Sequence, residues 1–260
     1  MRTRPFVAAA ALVALCASPS RAAHEPQTLG AQLAAARGQL FASLDGPRLQ
    51  AAQARLVTIA RDLPARAVLS DVLQRALSGA ATARSGTDGI VADHRATLIA
   101  VAFYVNNWGL ESLLPEARTW PKPERRLIVL RDREDYAQHF AVSAGVAAAS
   151  TSPIAAALGV YKEMKDTQGA SGFSFTDLAA DRAGVRFGAA AVQSAASAAG
   201  LIGRLSGPLA EADMMPAIDD LPDHMPDAEF KRRFGAVDSP AYNALVAEID
   251  RRIAALPIYK

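Results

Sequence analysis

Apolar residues recur every three to four positions through residues 28–60, TLGAQLAAARGQLFASLDGPRLQAAQARLVTIA, and the run breaks only near Asp45-Gly46-Pro47. That spacing predicts a helical hairpin. A further helical stretch over 62–78 leads into SGAATARSGTDG (78–89), whose small and polar residues mark a loop or linker. The next helix spans 90–105 and stops at Asn106-Asn107-Trp108-Gly109. RTWPKPERR (118–126), punctuated by proline, reads as extended chain, and RLIVL (126–130) is the one convincing strand signal. Three helices then follow closely, at 133–149, 153–166 and 175–203. Asp132 or Asp135 caps or charges the first. Ser152-Pro153 starts the second with an N-cap and a proline at N1. Ser174 and Asp177 start the third at capping-box spacing. Beyond 206 the chain is rich in proline and reads as a wrapping loop, and Ser239-Pro240 opens a last helix to about residue 255.

The pattern therefore predicts a mainly all-α fold: a compact helical bundle with a central antiparallel three-helix unit and at most a short β element. Its organisation is a signal peptide (1–22), an N-terminal helical region (23–80), a central helical core carrying a polar site (90–205), and a wrapping loop with a C-terminal helix (206–260). Composition agrees, because 51% of residues are apolar while only 6% are aromatic. Alanine supplies much of the apolar share, which suits close-packed helices better than a β-sandwich.

The leader changes the charge picture. Met1-Arg2-Thr3-Arg4 is a short basic segment, Pro5–Ala17 is mostly apolar, and Ser20 and Ala22 are the small residues a signal-peptidase site requires. Cleavage is expected after Ala22, giving a periplasmic or envelope location. Leu15 is too bulky to make Cys16 a good lipidation site. Loss of Arg2, Arg4 and Arg21 turns 28 basic residues into 25 against 26 acidic ones. No basic excess then argues for a nucleic-acid partner, and envelope or membrane association is the expected kind of partnership. The oligomeric state is not legible. Cys16 is the only cysteine and leaves with the leader, so the mature chain forms no disulfide. Residues 141–161 carry no charge and have the length of a membrane span, but Ser150-Thr151-Ser152-Pro153 interrupts them, favouring two helices over one span.

At about 100° per residue, Asp177, Asp181, Gly184 and Gly188 share one face of the third helix. Ala155, Gly159, Glu163 and Asp166 share one face of the second, and Asp135, His139, Ser143 and Ala147 one face of the first. Each face has acids or imidazole at one end and small residues at the other. Small residues allow close helix approach, and short connections imply antiparallel neighbours. An up-down-up arrangement brings His139, Glu163, Asp166, Asp177 and Asp181 to the same end.

Four carboxylates at close range require a counter-charge. A divalent metal, Mg²⁺, Mn²⁺, Ca²⁺ or Zn²⁺, would supply it with these five residues as ligands. Lys162 and Arg182 would supply it in an ion-pair network instead. A third arrangement is acid–base chemistry, with His139 or Glu163 as the catalytic base. The segment TQGASG (167–172) before a helix N-terminus is a candidate anion site. Taken singly, Asp177 reads as a helix cap and His139 as a core residue bonded to Asp135 or Ser143; only their convergence points to a site. Asp135, His139 and Ser143 do not make a catalytic triad, since Ser143 lies mid-helix without an oxyanion hole. His94 and His224 are further candidates for the site. Trp108 and Trp120 read as loop anchors, with a groove wall as the alternative.

QHFAVSA, KEMKD and GFSFTDLAADRAG together resemble the YfiM-like family of small bacterial envelope proteins, often lipoproteins, and more loosely the helical hairpins of VanZ-like membrane proteins. The matching positions, within about 135–190, are His139, Phe140, Ser143, Lys162, Glu163, Asp166, Gly172, Phe173, Ser174, Asp177, Asp181 and Gly184. The resemblance implies an envelope location and no particular reaction. The chain departs from it in having no good lipidation site and in the long segment that precedes the match. Two functions follow as expectations: a binding or structural envelope protein with a His/Glu/Asp cluster at a helix junction, or a metal-dependent hydrolase-like enzyme acting on an envelope component.

Overall fold

The structure is a computed structural model that describes residues 45–83, 87–149 and 172–260. The expected leader (1–22), the first arm of the expected hairpin at 28–60, the helix expected at 153–166 and the segment 167–171 lie outside the described residues, as do Lys162, Glu163 and Asp166. What is described is a mostly helical bundle with one small two-stranded sheet.

Helix α1 (Gly46–Asp62) starts at Asp45, whose Oδ1 accepts from Arg48 N at 3.0 Å. Strand β1 (Arg66–Val68) follows, then α2 (Leu69–Ala83) and α3 (Thr87–Val105). Most of the expected loop at 78–89 is thus helical: small residues that read as a linker continue the two helices instead. Gly79 fits because α1 passes close by, with Arg55 Cδ 3.1 Å from where a β-carbon would lie.

The strand expected at 126–130 is β2 (Leu127–Val129), and it pairs in parallel with β1, Ala67 opposite Ile128. Its partner was hidden because three residues behind Pro64 carry too little alternation to register. A turn in which Arg131 and Asp132 both have positive φ leads into α4 (Glu134–Ala149).

The long helix expected at 175–203 is two: α5 (Phe175–Val192) and α6 (Ala195–Arg204), bent by 116°. Ser194 breaks it by capping the second: its hydroxyl accepts from Ser197 N, and its backbone N–H donates to Ser197 Oγ. Among the described residues no single helix is long and apolar enough to cross a membrane; the α5–α6 pair reaches that length and composition only across its bend. The wrapping segment contains short helices α7 (Glu211–Met214) and α8 (Asp227–Phe234), and α9 (Pro240–Ala254) begins at Ser239 as expected.

One apolar core runs from Leu49 to Ile258. Its tightest seam joins α4 and α5. A β-carbon on Gly184 would overlap the Phe140 carbonyl, and one on Gly188 the Ala144 carbonyl. These pairs advance in the same direction along both helices, so α4 and α5 run parallel. Phe140 and Phe187, both fully buried, pack with tilted rings 5.6 Å apart beside the seam. Helix α3 crosses α4 the other way, with Gly145 against Leu98 and Ala102, and Arg95 Nε donating to Ala148 O at 3.0 Å.

The wrapping segment secures the start of α5. Phe173 and Met225 exchange backbone hydrogen bonds at 2.8 Å, and Phe173, Phe175, Phe230, Phe234 and Tyr242 pack ring against ring. Gly172 precedes them at φ 75°, where a β-carbon would lie 2.5 Å from Met225 O; only glycine meets both demands.

Candidate functional site at the α4–α5 junction

Ser174 caps α5, its hydroxyl accepting from Asp177 N at 2.9 Å, so Asp177 and Asp181 occupy the first two turns. Because α4 and α5 are parallel and in close contact, the first turns of α4 bring His139 against them. His139 Nδ1 lies 3.3 Å from Asp181 Oδ1, and Nε2 lies 3.8 Å from Asp177 Oδ2. The imidazole is thus flanked by one carboxylate on each ring nitrogen. Ser143, one turn further along α4, donates to the same Asp181 Oδ1 at 2.6 Å. The three side chains are 17–25% exposed, dry enough for strong electrostatics yet reachable by solvent.

Asp181 and Asp177 differ in their surroundings. Asp181 is held by a hydroxyl and an imidazole. Asp177 Oδ1 is buried without a hydrogen-bond partner. Burial raises the Asp177 pKa, and the charges of Asp135 and Asp223 add to this, against the opposing pull of His139 and Ser174.

A second polar group borders the first. Arg133 pairs with Asp135 through two nitrogens, donates to Asp223 Oδ2 at 2.8 Å, and approaches His224 Nε2 at 3.1 Å. Its guanidinium also lies 4.3 Å from the Tyr136 ring centroid. Burial opposes the charge of Asp135, but the Arg133 hydrogen bond and charge bring its pKa below the ordinary value.

Three of the five predicted site residues, His139, Asp177 and Asp181, come together; Glu163 and Asp166 are not described. Asp135 faces Arg133 rather than His139, and Ser143 serves Asp181, so no triad forms. Arg182 pairs with Asp250 of α9 and does not neutralise the cluster. His224 sits in the neighbouring Arg133 group. His94 does not join: it contacts Ala191 O, ten residues beyond Asp181 and so about 15 Å along α5. The pattern had no means of revealing Arg133 and Asp223, which meet across 90 residues of chain.

Among the described residues, no group of three or more His, Cys, Asp or Glu side chains is arranged to hold a metal ion. In the described trio each nitrogen of His139 faces a different carboxylate, so the three groups do not converge on a common point. Compared with known proteins, the chain matches no family model, no curated sequence and no solved structure.

Proposed function

We propose that the chain is an exported cell-envelope protein with a binding or structural role, in which His139, Asp177 and Asp181 form an ion-paired lock between two parallel helices. The observation that carries this reading is the placement of His139 between two carboxylates at the closest helix seam, with Ser143 committed to the same Asp181 oxygen. Bonds of this kind fix helix register, since removing one partner strands the other in a dry site. The leader and the YfiM-like resemblance over 135–190 support the envelope location.

A second reading, a metal-dependent hydrolase acting on an envelope component, draws on one observation: the unsatisfied, buried Asp177 Oδ1. Such an atom suits a proton or an ion, with Glu163 and Asp166 as the further ligands.

One experiment separates the two: metal content and thermal unfolding of the mature protein beside Asp181→Asn. A metal-free protein that melts lower in the variant supports the lock. Stoichiometric metal, lost in the variant, overturns it in favour of the hydrolase reading. Equal melting with no metal in either protein removes both.

A further inference from the structure

A cleft of about 560 Å³ opens between the C-terminal half of α3, the turn after it, the extended strap 121–126 and Glu134 at the start of α4. That volume lies within the range typical of small-molecule sites. The sequence builds it from an abrupt stop. Helix α3 ends because Asn107 adopts φ 57°, and the chain folds back so that Trp108 N donates to Phe103 O at 2.8 Å. The Trp108 ring then sits edge-on to Phe103 at 5.6 Å, fixed in orientation and half-exposed. Tyr104, also lining the cleft, donates its hydroxyl to Glu124 O at 3.1 Å and pins the strap.

The charges within the cleft are ordered. Glu111 folds back over Gly109, where a β-carbon would overlap its carboxylate, and meets Lys122 Nζ at 2.8 Å. The hydrogen bond from Lys122 and one from its own backbone keep the Glu111 pKa below the ordinary range. Arg126 is taken by both oxygens of Glu124, at 2.8 and 2.9 Å. Two charges remain: Glu134 at the α4 end of the cleft, which accepts from Gln138 Nε2 at 3.0 Å, and Arg125, which is exposed and has no ion-pair partner among the described residues. Asn107 adds an exposed carboxamide.

We infer that this cleft binds a carboxylated saccharide. The polarised C–H face of a sugar ring packs on the electron-rich faces of Trp108 and Tyr104. The fixed Glu111–Lys122 pair and Asn107 give hydroxyls both acceptors and donors. Arg125 matches a single carboxylate with its planar fork of donors. A phosphate ester suits the cleft poorly. It brings nearly two charges to one spare cation, and the negative C-terminal end of α3, which opposes any anion, opposes two charges more than one.

The test uses the full chain labelled with ¹⁵N, which has two indole resonances because Trp108 and Trp120 are its only tryptophans. Trp108→Phe assigns them. N-acetylmuramic acid and glucuronic acid are titrated beside their neutral counterparts, N-acetylglucosamine and glucose, and beside inorganic phosphate. The expected result is a saturable shift of the Trp108 indole with at least one acid sugar. Arg125→Gln, an exposed change that leaves the fold intact, weakens that binding about ten-fold or more, towards the level of the neutral sugar. Preference between the two acids tells a lactyl-bearing amino sugar from a uronic acid. The inference is overturned if no sugar shifts Trp108 saturably, if Arg125→Gln binds as the unchanged protein does, or if phosphate binds as tightly as the acid sugars.

Discussion

Gly184 of α5 lies so close to the Phe140 carbonyl of α4 that no side chain fits between them. That contact sets the distance at which His139, one residue before Phe140, meets Asp181. Gly184→Ala is expected to cost about 1–3 kcal/mol through overpacking, although alanine normally favours a helix over glycine by up to about 1 kcal/mol. Gly203→Ala in α6 is the control, since nothing lies within 4 Å of its β-carbon position. It should gain about 0.4–1 kcal/mol. Urea unfolding of both variants reads the opposite signs directly.

The two aspartates of the junction should differ in pH behaviour. Asp177 has a raised folded-state pKa, caused first by burial. Above its unfolded value, about 3.9, the native state therefore holds more protons than the unfolded chain. Stability contributed by this group declines as pH rises through the folded value. Asp177→Asn should flatten that decline, while its loss of the pairing with His139 Nε2 lowers stability at pH 7. A pH series of unfolding midpoints checks it.

His94 should act at the other end of α5 and with the opposite slope. It is fully buried; Nδ1 lies 3.0 Å from Ala191 O, and Nε2 has no partner. A carbonyl only accepts, so Nδ1 carries the proton and Nε2 is bare. Burial lowers the pKa, against the hydrogen bond to Ala191 O and the charge of Asp93, with the nearby charge of Arg55 adding to the lowering. Below about pH 6.5 the unfolded chain takes up a proton that the native state refuses, and stability is lost as the pH falls. His94→Gln keeps a donor for Ala191 and removes the titration. Its unfolding midpoint should change less than that of the unaltered protein between pH 7 and pH 5.

Local signals in the sequence proved reliable where one residue sets the structure. Ser174 and Ser239 start helices as read, because a cap needs only its own turn. The face of α5 carrying Asp177, Asp181, Gly184 and Gly188 does meet α4, since charge and size repeat there at the helical period. The opposing row meets it through the side chains of His139 and Ser143, while the backbones that the glycines touch are those of Phe140 and Ala144, one position further on. A glycine can seat against any carbonyl, and helical spacing does not say which. Tertiary contacts left no trace in the pattern. Strand β1 forms only because β2 lies beside it, and Arg133 finds Asp223 only once the wrapping segment has closed over α5.

The most direct test of the helix lock is the coupling energy between His139 and Asp181, from a double-mutant cycle of His139→Gln and Asp181→Asn. Unfolding is measured with and without a metal chelator. The account predicts that each single change costs about 1–3 kcal/mol, and that the pair couples by at least about 0.5 kcal/mol. Ser143→Ala should add a smaller loss of about 1 kcal/mol, and chelator should change none of these values. Additive losses, or a coupling that disappears with the chelator, would contradict it.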